Sequence, residues 1–177
     1  RLFLVDQRSQ GRSDRTEPNW TIKQMAADVD ALATSLELDD YAVLGHSFGA
    51  FVALQHAVDF PAGPAGTIVS AGVPDLGYLE SHVERSLAAF EPAEMREQVT
   101  SSWERETEAQ TQEDVASILR DQWPFHFADP RDPRIADMLA QSDAAVYSPE
   151  VLRYFAESSY GEIDLEDQLE TIAHPVL

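Results

Sequence analysis

The chain has 177 residues, 44% of them apolar, and 32 acidic residues against 12 basic ones give a formal net charge of −20. Its length and apolar fraction suit a globular protein with a sizeable core, and no apolar run approaches the roughly 20 residues of a membrane-spanning helix. So negative a surface repels phosphate backbones, which argues against nucleic acid as a partner, and the absence of cysteine excludes disulfides, thiolate metal sites and cysteine nucleophiles.

Leu2-Phe3-Leu4-Val5 is an unbroken apolar run, the pattern of a strand buried on both faces of a parallel sheet. A polar segment follows, Asp6 to Arg15, which reads as a loop at the strand's carboxyl end. Its three arginines suit either a substrate site or an Asp–Arg network that braces the loop. Trp20 to Leu38 is the first expected helix. Thr21 is its N-cap, and Ile22, Met25, Ala26, Val29, Leu32, Ala33 and Leu36 form one apolar stripe. Tyr41–Gly45 is a second, buried strand, and Ser47–Val58 carries the spacing of a second helix. Pro61, Gly63, Pro64 and Gly66 stop it, and Thr67–Ala71 is a third strand. The order strand–helix–strand–helix–strand points to a parallel α/β sheet.

From about Asp75 the pattern changes. Glu80–Phe90, Pro92–Glu108, Glu113–Trp123, Pro133–Ser142 and Pro149–Ser158 read as helices, with Pro92, Pro133 and Pro149 at their starts. This block is too long for one crossover helix and is expected to be a helical lid inserted between two strands. Asp164–Thr171 is a short helix, and Pro175-Val176-Leu177 looks like the first residues of another strand. The expected division is 1–74 for part of the sheet core, 75–160 for the helical cap, and 161–177 for the return to the core. Because Arg1 opens directly on an apolar run and Leu177 closes inside one, an internal fragment of a longer protein is expected.

The chemistry gathers at Gly45-His46-Ser47-Phe48-Gly49, a Gly-x-Ser-x-Gly pattern between the second strand and the second helix. A serine hydroxyl becomes a useful nucleophile when it is exposed, near a base, and near donors for an oxyanion. A strained strand-to-helix turn provides the exposure, and bulk at Gly45 or Gly49 is expected to crowd it. The alternative is a serine that merely caps a helix. Phe48, at the helix start, is the expected backbone oxyanion donor. The histidines stand at positions 46, 56, 82, 126 and 174, with no metal-ligand spacing such as His-x-x-x-His. No metal and no cofactor are expected.

Together these segments resemble the α/β-hydrolase fold superfamily, in particular its capped branch of proline iminopeptidase-like serine hydrolases. Asp6-Gln7-Arg8 with Gly11-Arg12-Ser13 is similar to that branch's Asp-x-Arg-Gly-x-Gly-x-Ser loop, with Ser9 where the branch usually has glycine. Gly45–Gly49 matches the nucleophile elbow, and Ile172–Leu177 looks like the lead-in to the strand that carries the catalytic acid. The fold class so implied is α/β, a partial doubly wound and mostly parallel sheet with a lid after the third visible strand.

The resemblance implies Ser47 as nucleophile and the Phe48 N–H as one oxyanion donor, with the second donor before Arg1 and the acid and histidine beyond Leu177. The family's chain order of serine, acid, histidine makes His46 an elbow residue that lines the pocket or packs beneath it, not the base. A self-contained triad of Ser47, Asp75 and His126 or His174 is the variant to weigh against this. Trp123, Phe125 and Phe127 are the expected pocket wall, and Glu157 is the lid acid nearest where a substrate amine would be held in an iminopeptidase.

The function expected of the full-length form is serine hydrolysis of an ester, amide or N-terminal peptide bond in a small apolar substrate or short peptide. The alternatives are a non-catalytic ligand-binding relative and an inactive fragment. A cytoplasmic location without membrane contact is expected, and the pattern leaves the oligomeric state open.

Overall fold

The computed structural model of the chain describes residues 1–158 and 163–177. Tyr160 and the expected boundary between 160 and 161 lie outside the described residues. The chain forms two compact units, one of Arg1–Thr16 with Ser81–Ser159 and one of Glu17–Glu80 with Tyr160–Leu177.

In the second of these, helix α1 (Ile22–Ser35) begins where Thr21 predicts, and the Gln24 N–H donates to the Thr21 hydroxyl at 3.1 Å. It ends in a left-handed residue, Glu37 (φ 52°), with the Leu38 N–H on the Ala33 carbonyl and the Glu37 N–H on that of Thr34. Glycine usually takes that place in this overlapping cap. Strand β1 (Ala42–His46), helix α2 (Phe48–Asp59) and strand β2 (Gly66–Ser70) follow. The strands pair in parallel, Ala42 opposite Gly66 and His46 opposite Ser70. Helix α2 is buried almost all round, through Ala50, Phe51, Val52, Ala53, Leu54 and Ala57, because α1 packs on one side of it and the strands on the other.

The strand expected from Pro175 begins as read. Val176 lies parallel to Thr67, and the Val69 N–H donates to the Leu177 carbonyl at 2.8 Å. Residues Glu166–Thr171 before it are a 3₁₀ turn, not an α-helix.

Two expectations about strands fail. Leu2–Val5 forms no strand, and Leu2 and Leu4 are 80% and 89% exposed. An apolar run becomes a strand only when a neighbouring backbone completes its hydrogen bonds, and no such neighbour stands beside it among the described residues. Strand β1 is not buried on both faces either, since Leu44 is 64% exposed. Alternate side chains of a strand face opposite ways, and among the described residues only one face of this sheet is covered.

The other unit is helical. After α3 (Leu76–Ala88), whose first residues belong to the sheet unit, come α4 (Ala93–Glu104), α5 (Gln112–Gln122), α6 (Ile135–Asp143) and α7 (Pro149–Glu157). All five expected helices form, with 3₁₀ turns at Arg105–Glu108 and Trp123–His126. Thr111 and Asp114 make a reciprocal capping box at the start of α5, and Ser148 with Pro149 starts α7. Ala109, Val115 and Ile118 are the centre of this core, packed by Leu119, Tyr147 and Leu152.

The loop Asp6–Arg15 belongs to the helical unit and is braced. Asp6 accepts the Arg12 N–H at 2.9 Å, and the Arg15 guanidinium donates to the carbonyls of Ser13 and Gly11. Gly11 sits at φ 50°, and any side chain there would strike the Asp6 carboxylate. Ser9, where the resembled family has glycine, also takes a left-handed conformation (φ 61°). Its buried hydroxyl helps to offset that strain by accepting the Thr16 N–H at 2.9 Å.

Candidate active site

The strand-to-helix turn is the most constrained point of the sheet unit. Ser47 stands between β1 and α2 with φ 52° and ψ −121°, a region that residues with a Cβ rarely enter. Its side chain is exposed and makes no capping bond to the helix. The helix-cap alternative for this serine therefore has no support in the geometry. Phe48 is the first residue of α2, in the turn where backbone N–H groups point out along the axis and carry the positive end of the helix dipole.

Gly45 is required by packing. A Cβ added there would lie 1.9 Å from the Gly49 carbonyl oxygen and 2.8 Å from Cα of Ala50. Gly49 differs from expectation, because a Cβ at that position meets nothing within 4 Å. The crowding is one-sided: the helix start presses on the strand residue, while the helix residue's own substituent direction is open. A third glycine, which the motif does not include, has the same role as Gly45. At Gly72 a Cβ would come 2.4 Å from that of Ala50.

The end of β2 fastens the turn. The Ser47 N–H donates to the Ser70 carbonyl at 2.9 Å, and the Ser70 hydroxyl lies 3.0 Å from His46 Nδ1. No sequence pattern marked Ser70. Its role appears only through the register that sets it opposite His46.

The histidines and the acid of the self-contained variant have other partners. His174 Nδ1 donates to the Pro61 carbonyl at 3.1 Å, and its Nε2 shares a hydrogen bond with the Thr67 hydroxyl at 2.9 Å. Thr67 pairs with Val43, near the amino ends of the strands, whereas Ser47 follows their carboxyl ends. His174 is thus a structural bolt and not a base for Ser47. The Asp75 carboxylate accepts the Tyr78 N–H and caps α3. His56 is fully buried on α2 between Tyr41 and Phe60, with no hydrogen-bond partner at either ring nitrogen among the described residues. Burial pushes its pKa down from the ordinary 6.5, against a smaller opposing pull from Asp30.

Within the helical unit, Phe125 and Phe127 line an open groove of about 430 Å³ with His82, Ser86, Phe90 and Glu91. Phe125 meets Phe90 and Trp103 edge-on, at 5.2 and 5.5 Å between ring centres. The Arg134 guanidinium lies over Phe127. Trp123 is not part of that groove wall; its Nε1–H donates to the Ser142 hydroxyl at 3.0 Å and its ring packs on His126. Glu157 is exposed at the end of α7. No group of three or more His, Asp or Glu residues stands close enough to hold a metal ion among the described residues, and no helix there is long and apolar enough to cross a membrane.

The model of the "Alpha/beta hydrolase family" matches residues 1–172. RutD of Escherichia coli O44:H18 (strain 042 / EAEC), a protein its name assigns to carbamate hydrolysis, is 41% identical over 62 residues. The match covers 34% of this chain and 23% of that relative. Among solved structures, the esterase EaEST from Exiguobacterium antarcticum is similar over 97% of this chain and 59% of its own, with a TM-score of 0.65 and 20% identity. The proline iminopeptidase of Mycobacterium smegmatis is similar over 89% of this chain and 54% of its own, with a TM-score of 0.54 and 21% identity. The chain thus spans little more than half the length of these structures, and they share its fold. With a family model matched along nearly the whole chain, and a strained serine between a parallel strand and a helix, the chain belongs to the alpha/beta hydrolase family.

Proposed function

We propose that the protein carrying this chain is a serine hydrolase in which Ser47 is the nucleophile and the Phe48 N–H is one oxyanion donor. The observation that carries this reading is the backbone of Ser47, exposed and held at φ 52°, ψ −121°. Such strain persists where the surroundings enforce it, and it gathers at functional sites.

In the proposed reaction Ser47 Oγ attacks a substrate carbonyl as its proton passes to a histidine base. The tetrahedral oxyanion accepts hydrogen bonds from the Phe48 N–H and a second donor. Collapse expels the leaving group, which takes the proton, and water then releases the acyl group by the same steps. The base, its acid partner and the second donor come from parts of the longer protein that this chain does not span. The hydrogen bonds of His174 and Asp75 support that assignment.

The proposed substrate is a small apolar ester, amide or carbamate, or the N-terminal bond of a short peptide. The names of the relatives span this range, and the groove beside Phe125 and Phe127 is the proposed apolar wall. The helical unit is the proposed cap, and the cytoplasm the proposed location. The test is covalent labelling of the full-length protein with a fluorophosphonate. The expected result is one adduct on Ser47 that disappears in Ser47→Ala. Labelling that persists in that variant, or none in the wild type, rejects the reading in favour of a non-catalytic binding role.

A further inference from the structure

We propose that Ser70 and His46 form a clamp that holds the Ser47 turn in its reactive shape, with Ser70 as a positioning residue. The inference rests on the reading of Ser47 as nucleophile and deepens it.

A strained backbone needs neighbours that over-determine it, and here they converge on one residue. Ser70 accepts the Ser47 N–H through its carbonyl at 2.9 Å and meets His46 Nδ1 through its hydroxyl at 3.0 Å. The first bond fixes the peptide that enters Ser47. The second fixes the side chain of the residue just before it. Ser70 is itself held. It is the last residue of β2, in register with His46. Behind it the chain turns sharply through Ala71 (φ 51°) and passes Gly72 against Ala50 in the first turn of α2.

The consequence is chemical. The Ser47 ψ torsion sets the direction of the Phe48 amide, so a turn that relaxes about Ser47 moves the nucleophile and the oxyanion donor together. The clamp also survives a change of histidine charge. Neutral Nδ1 accepts from the Ser70 hydroxyl, and protonated Nδ1 donates to the same oxygen. His46 therefore acts through the turn. In this reading it does not line the pocket.

The test uses the full-length protein and the variants Ser70→Ala, Ser70→Thr and His46→Phe. The readouts are the rate of fluorophosphonate labelling and, with p-nitrophenyl butyrate, kcat and KM separately. Ser70→Ala is expected to slow labelling and lower kcat on the order of tenfold, the scale of a small misplacement of reacting groups, with KM little changed. Ser70→Thr, which keeps the hydroxyl, is expected to restore most of the rate. His46→Phe is expected to resemble Ser70→Ala and decides the matter if Ser70→Ala does not fold.

Wild-type labelling rates in folded Ser70→Ala or His46→Phe overturn the clamp, as does a loss confined to KM. If the wild type is not labelled at all, the nucleophile reading fails separately. The clamp is then judged by the ¹⁵N resonance of His46 Nδ1, which must move in Ser70→Ala if the bond exists. An unmoved resonance overturns it.

Discussion

The two units hold polar groups inside small cores by different means. In the helical unit the buried polar side chains bond to another side chain or, for Ser102, to a carbonyl of its own helix. Gln122 donates to Glu106 at 2.7 Å, Trp123 to Ser142 at 3.0 Å, and Ser102 to the Val99 carbonyl at 2.6 Å. In the sheet unit the critical contacts are between backbones, and they depend on atoms that are missing. Gly45 lies against the Gly49 carbonyl, Gly72 lies against Ala50, and neither ring nitrogen of the buried His56 has a hydrogen-bond partner among the described residues. The difference shows what each unit is sensitive to. Around the turn an added atom does the damage, whereas among the helices a removed one does.

The largest expected effect breaks the turn. Gly45→Ala forces a methyl group into the helix start and is expected to cost about 3 kcal/mol, the upper range for overpacking. Urea denaturation checks it, and wild-type stability would mean that the close approach is soft. Next comes removal among the helices. Gln122→Leu takes a hydrogen-bond donor from the buried Glu106 and is expected to cost about 2 kcal/mol in the same measurement. Thr111→Ala removes the reciprocal cap of α5 and is expected to cost about 1 kcal/mol.

A smaller effect depends on pH. His56 binds a proton less readily folded than unfolded, because burial disfavours its charged form. Its neutral state is fully compatible with the fold above the ordinary pKa of 6.5. Stability should fall as the pH drops below 6.5 and stop falling once the pH is below the depressed pKa. The groups that modulate this are Asp30 on α1, Asp59 on α2 and His174. His56→Leu should remove that part of the slope in denaturation curves measured from pH 7 to pH 5, and an unchanged slope would show that His56 is not its source. The smallest effect sharpens the comparison inside the motif itself. Gly49→Ala adds a methyl group to open space in a helix, so it should be neutral or stabilise by up to about 1 kcal/mol. A large loss there would show that Gly49 is crowded after all.

Much of the helical architecture was legible because its signals are local. The Thr21 cap, the prolines just before α4 and α6 and at the start of α7, and the stripe of α1 depend on residues a few positions apart, and the helices lie within a few residues of where those signals put them. The Gly-x-Ser-x-Gly pattern likewise located the strand-to-helix turn, since the steric demand at Gly45 is set by residues only four and five positions on. Its companion Gly49 departs from the pattern, because whether a direction is crowded depends on what packs there, and the pattern does not record that.

Strand status and partnership were settled only in three dimensions. Leu2–Val5 and Val43–Gly45 look alike as apolar runs, yet among the described residues only the second has a neighbouring strand, and a ladder requires two backbones. The same holds at the site. Amino-acid order by itself determined that a serine would stand at a tight turn after a strand. Register and tertiary packing alone decided that Ser70, 23 positions later, would grip that turn, and that His174 would be tied to Thr67. Hydrogen bonds between residues far apart in the chain follow from how strands align, and nothing in the local composition encodes that alignment.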